Sequence, residues 1–102
     1  MIHLLAFITA KPGQRAALLQ AFRAIIPTVH AEAGCIEYVP VVDADGFGGF
    51  TTPLGPDTYV VVEKWASAEA LRGHAATPHM VEYNARVAPM IERRVLHVLT
   101  PA

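Results

Sequence analysis

The sequence predicts an α+β chain whose elements follow one another as β-α-β-β-α-β. Three observations predict it. Four runs are rich in β-branched and aliphatic residues; apolar residues recur at three- and four-residue spacing after the first and third runs; and a Gly/Pro-rich stretch joins the second run to the third. A split βαβ arrangement of this kind closes as a four-stranded antiparallel sheet with both helices on one face, the ferredoxin-like architecture. The 102 residues are read as one domain, 1–102, because two cores of half that length would each bury too little surface.

Strand one is Ile2 to Ala10, stopped by Lys11-Pro12-Gly13. From Gln14 onward Leu18, Leu19, Phe22, Ile25, Ile26 and Val29 mark the buried stripe of a helix expected to reach Ala33, with Pro27 kinking its last turns and Gly34 closing it. Cys35 to Val42 and Thr58 to Trp65 are strands two and three. Between them, Asp43 to Asp57 holds too many glycines and prolines for regular structure, and is expected either to fold over a pocket or to reach a partner chain. Ser67 is placed to cap a second helix with Glu69 in its first turn, and Thr77-Pro78 to start a further segment. Arg94 to Thr100 closes the chain as strand four.

Composition narrows the function classes. Hydrophobic residues make up 53% and charged residues 17%, an apolar surplus expected to lie in an interface. In strand one both alternating sets, Ile2, Leu4, Ala6, Ile8 and His3, Leu5, Phe7, Thr9, lack a polar outer face. A helix layer covers only one face, so a second copy of the sheet is expected on the other. The net charge of −1 with scattered Lys and Arg offers nothing to steer nucleic acid or anionic lipid. No apolar run reaches the length of a membrane span, no leader precedes the first strand, and a single cysteine, Cys35, makes no disulfide. A cytoplasmic protein is the expectation, with Cys35 a packed residue.

The candidate chemistry lies on strand three and the helical region after it. Glu63 and Trp65 share one face with Tyr59 and Val61. If that face meets the helices, desolvation raises the pKa of Glu63 and calls for a hydrogen-bonding partner, for which His74, one turn beyond the inward-facing Leu71, is the candidate. Such a pair moves a proton from a bound phenol or enol; a core Glu and His that merely satisfy each other are the competing account. After Pro78, the stripe Met80, Val81, Asn84, Val87, Ala88 and Ile91 places Asn84 among apolar residues, where its amide orients a ligand or bonds backbone. Tyr83 and Arg86 are read as lining a pocket mouth or as solvated, and Phe22 as a wall of the same pocket. His79 stands about 140° from His74 around an ideal helix, so the two are read as no metal site, and His79 as a capping or orienting residue. No phosphate-binding loop, dinucleotide fingerprint or haem-attachment motif is present, so no cofactor is expected.

Lys11-Pro12-Gly13, Glu32-Ala33-Gly34-Cys35-Ile36-Glu37-Tyr38, Glu63-Lys64-Trp65, Ala70-Leu71, His74 and Thr77-Pro78-His79 together resemble the antibiotic biosynthesis monooxygenase family. The resemblance spans nearly the whole chain and implies a dimeric α/β barrel. It also implies oxidation of a small aromatic, a phenol, quinol or polyketide-like compound, by molecular oxygen without metal or flavin. Carried over, Trp65 lines the cavity while His74 and Glu63 handle the proton. The asparagine that polyketide-oxidising members carry on this strand is replaced by apolar residues around Val61, and the first-strand asparagine of haem-degrading relatives is absent from Ile2 to Ala10. An isomerase or tautomerase of a small carbonyl compound and a dimeric binding module without turnover are the other functions compatible with these residues.

Overall fold

The computed structural model describes residues 1–102. Strict alternation over nine residues makes Ile2–Ala10 a strand, β1, buried at every second position from Leu4 to Ala10. It is followed by α1 (Arg15–His30), β2 (Cys35–Val41), β3 (Thr58–Trp65), α2 (Ala68–Ala76), α3 (Pro78–Val87) and β4 (Ile91–Leu99). The four strands pair antiparallel in the order β2-β3-β1-β4. Register decides which side chains share a face. Tyr38, Glu63, Leu4 and Val98 form one cross-sheet row; Pro40, Val61, Ala6 and Leu96 the next; Tyr59, Ile8 and Arg94 the third. These rows face the helices, whose buried residues Leu18, Phe22, Val29, Met80, Tyr83 and Val87 complete the core.

Local chemistry sets the helix limits. α1 continues through Pro27 but ends at His30, three residues before the expected Ala33: Ala31 N–H makes the last four-residue bond, to the Pro27 carbonyl, and Glu32 N–H turns in more tightly to that of Val29. Gly34, at φ +84°, closes the turn after the helix rather than the helix itself. The Ser67 hydroxyl accepts from Ala70 N–H at 3.1 Å and caps α2 as expected. Thr77 both ends α2 and caps α3: its hydroxyl donates to the His74 carbonyl at 2.8 Å and accepts from Met80 N–H at 3.4 Å, with Pro78 next.

β4 starts at Ile91, not Arg94. Thr9 pairs with Arg93 and Ala10 with Ile91 across a bulge, and a short 3-10 turn, Ala88–Met90, separates them from α3. Ile91 therefore leaves the helical stripe that the spacing implied. The connection from Asp43 to Asp57 is more ordered than its composition suggests: it carries a 3-10 turn, Gly48–Phe50, and the Asp43 carboxylate accepts from the Leu54 and Gly55 amides at 2.8 and 3.0 Å. No helix is long and apolar enough to cross a membrane. The sheet face away from the helices carries Leu5, Phe7, Val39, Val41, Val62, Val95 and Leu99.

Candidate active site

The three rows on the helix face form the floor of a cavity of about 160 Å³, roofed by α1, α2 and α3. Its lining is predominantly apolar, with Leu4, Ala6, Ile8, Phe22, Val61 and Met80 among the walls. A dry apolar cavity of about 150 Å³ holds a benzene ring, so this one has room for about one substituted aromatic ring.

One end is built for proton chemistry. Glu63 is almost fully buried and lines the cavity; burial pushes its carboxyl up to about 7, partly offset by a hydrogen bond from Trp65 Nε1 to Oε1 at 3.0 Å and increased by the nearby Glu32. His74, also buried, lies against the Trp65 ring with centroids 4.6 Å apart and meets Tyr38 edge-on at 5.5 Å. Its Nδ1 lies 3.0 and 3.1 Å from the two Glu32 oxygens. A carboxylate only accepts, so Nδ1 carries a proton towards Glu32 and Nε2 is the nitrogen left to exchange one. His79 Nε2 reaches the same Glu32 at 2.7 Å, so one carboxylate orients two imidazoles. Glu32 stands in the turn between α1 and β2 that Gly34 completes.

The opposite end gathers Tyr59, Tyr83 and Arg94. Burial raises the pKa of both phenols, which remain hydrogen-bond donors, and the Arg94 guanidinium lies close enough to each to pull in the other direction. Desolvation does the same to Tyr38 on the floor, opposite Glu63 in the sheet.

Most sequence-derived candidates converge here. Glu63, His74, Tyr59, Val61, Leu71, Tyr83, Asn84 and Phe22 all line the cavity. Three details differ. His74 pairs with Glu32 rather than Glu63, because the α1–β2 turn brings Glu32 under α2 while Glu63 is held by Trp65. Trp65 does not line the cavity: fully buried, it backs Glu63 and His74 from behind. Asn84 is exposed at the rim, and the buried residue of that turn is Tyr83, with the Arg86 guanidinium 5.6 Å over its ring on the outer side. His79 orients, as expected, but through a side chain. The sequence assigns no role in the site to Arg94, nor to Glu32 and Tyr38, which enter only through the motif that carries the family resemblance. The alternation of strand four predicts the face of Arg94 once its register is known; nothing in the sequence signals the long-range contact of Glu32.

The sequence profile described as antibiotic biosynthesis monooxygenase matches residues 1–86. An Escherichia coli protein named "Probable quinol monooxygenase YgiN" is 37% identical, over 99% of this chain and 98% of its own. Rv0793 of Mycobacterium tuberculosis is 31% identical over 98% of this chain and 90% of its length, and its solved structure superposes with a TM-score of 0.80 at 29% identity, covering 99% and 94% of the two chains. The crystal structure of PA3566 from Pseudomonas aeruginosa gives the same TM-score at 26% identity over 99% and 93%.

Proposed function

The chain belongs to the antibiotic biosynthesis monooxygenase family, and we propose that it is a cytoplasmic homodimeric enzyme that oxidises a single-ring quinol or phenol with molecular oxygen. Monooxygenase activity is what the family and the 37% identical relative support; the substrate, the oxidant and the assembly are our reading. The observation that carries it is an apolar cavity sized for about one ring, with a buried carboxyl and an oriented imidazole at one end. A small carbonyl sugar would need more polar partners along its length than these walls offer, so the aromatic reading is preferred to an isomerase.

In this reading the ring lies on Ala6 and Val61, with one hydroxyl at Glu63 and His74. Nε2 of His74 takes the hydroxyl proton, and Glu32 at Nδ1 stabilises the imidazolium that forms. Glu63, titrating near neutrality, accepts from or donates to the same oxygen. The electron-rich ring anion passes an electron to oxygen, recombination of the radical pair forms a C–O bond as a ring hydroperoxide, and its O–O bond then breaks, leaving one oxygen on the ring as a carbonyl and releasing the other, with the ring C–H proton and the peroxide proton, as water. For a quinol the balance is quinol plus O2 giving hydroxyquinone plus water, with all four electrons supplied by the substrate. The apolar walls keep water from the radical pair. Trp65 acts by holding Glu63 and packing against His74.

The test is oxygen uptake by purified protein with substituted hydroquinones, set beside His74→Ala. Uptake should fall by about 10²–10⁴ in the variant. No uptake with any quinol, or uptake indifferent to the substitution, defeats the proposal.

A further inference from the structure

The Glu63 end of the cavity holds an acid and an oriented base, whereas the other end gathers two phenols and a guanidinium with no carboxylate among them. Tyr59, Ile8 and Arg94 form one row across β3, β1 and β4, four positions along the strands from the Glu63–Leu4 row. That is about 13 Å at strand geometry. Tyr83 of α3 is 3% exposed, and its hydroxyl makes no hydrogen bond of good geometry; the Tyr59 hydroxyl beside it comes near enough to interact but does not satisfy it. A buried hydroxyl without a partner is uncommon and calls for an explanation.

Arg94 supplies the second part of the argument. Arg94 is exposed on the edge strand β4 and, like several other arginines of the chain, forms no ion pair, so its guanidinium is free to turn to a ligand. It nevertheless contributes to the wall of an apolar cavity, beside two phenols that burial keeps protonated. A guanidinium offers only donors and positive charge, and a neighbouring phenol can turn its O–H to the same acceptor, which together complement a carboxylate.

Building on the reading of the cavity as an aromatic site, we propose that Arg94, Tyr83 and Tyr59 form a subsite for a carboxylate on the substrate ring. The preferred substrate class is thus a hydroxylated aromatic acid, its phenolic hydroxyl at His74 and Glu63 and its acid group at Arg94. The two ends together fix which way the ring enters.

Binding without oxygen separates this proposal from turnover. Calorimetric titration under anaerobic conditions compares 2,5-dihydroxybenzoate, its methyl ester and 1,4-hydroquinone against the parent protein, Arg94→Met and Tyr83→Phe. The parent should bind the acid at least about tenfold more tightly than the ester, the value of a charge-assisted contact. Arg94→Met should abolish that preference, bringing acid and ester to equal affinity, and Tyr83→Phe, which removes only a hydroxyl, should reduce it. Equal binding of acid and ester by the parent, or a preference that survives Arg94→Met, overturns the subsite and leaves the aromatic reading standing. Failure of all three rings to bind overturns both.

Discussion

Glu63 combines a position in the core with a titratable group. It sits in the sheet between Tyr38 and Leu4, 6% exposed, with one strong hydrogen bond from the Trp65 indole. Burial raises its carboxyl from 4.5 to about 7. Between those two values the folded protein holds a proton that the unfolded chain has released, so this group's contribution to stability falls as pH rises through the window and is level above it. The full difference is worth about 3 kcal/mol. Glu63→Gln keeps the shape and removes the charge. Urea unfolding should find the variant equal to the parent near pH 4.5 and more stable by up to about 3 kcal/mol at pH 8; a gap that does not widen with pH contradicts the assignment. This residue was legible because strand alternation alone puts Glu63, Val61 and Tyr59 on one face. The partner of His74 was not, since Glu32 lies 42 positions away and reaches it only through a turn. The buried stripe of α3 runs through Met80, Tyr83 and Val87 rather than through Asn84, because Ile91, which extends the apolar spacing in the sequence, belongs to β4.

At the level of elements, the α1–β2 turn decides where Glu32 and α2 stand. Gly34 adopts φ +84°, and a methyl group there would come within 2.6 Å of the Ala70 Cβ in α2. Its carbonyl also accepts from Ala66 N–H at 2.8 Å, tying the turn to the end of β3. Gly34→Ala should therefore cost the left-handed penalty of about 1–2 kcal/mol and a steric term besides, displacing α2 and with it His74. Gly13 provides the control: it has φ +77° and open space around it, so Gly13→Ala carries the conformational term alone. Thermal and urea unfolding of the two variants should rank Gly34→Ala as the more destabilised, with the larger loss of oxygen uptake. Equal losses would show that α2 yields to the added methyl without consequence. Elements with strong periodicity or caps, β1, β3 and α2, were readable to within a residue or two; β4 was not, because an exposed edge strand opening Ile91-Glu92-Arg93 has no buried face to impose alternation.

The whole molecule presents an imbalance: the helices cover one side of the sheet and leave open a side whose apolar middle is bordered by His3, Glu37 and Lys64 at one end and by Thr9, Thr58 and Arg93 at the other. Leu5, Phe7 and Val62 sit in the two central strands of that side, and Val39, Val41, Val95 and Leu99 flank them at 38–43% exposure. An antiparallel sheet facing water normally alternates polar residues along its outer face, and here the middle rows break that pattern. Four strands of about eight residues present roughly 500 Å² at strand spacing, short of the roughly 800 Å² per partner of a stable interface. The loop from Asp43 to Asp57 is positioned to supply the difference. Its Pro53 and Leu54 stand beside Phe7, Thr58 and Val95 on the open side, away from the cavity, and Phe47 and Phe50 are 54% and 89% exposed. Of the two roles its composition suggested, reaching a partner is therefore the one we favour over folding across the pocket. A dimer formed sheet to sheet should sediment at twice the mass of the single chain at micromolar concentration. Leu5→Glu, which buries a charge only in the dimer, should return it to single chains that remain folded, and deletion of residues 46 to 53 should raise the dissociation constant while leaving His74, Glu32 and Glu63 in place. A parent protein that already sediments as single chains would contradict the sheet-to-sheet assembly. A dimer unaffected by Leu5→Glu would place the interface elsewhere, and the open face would then need a different partner.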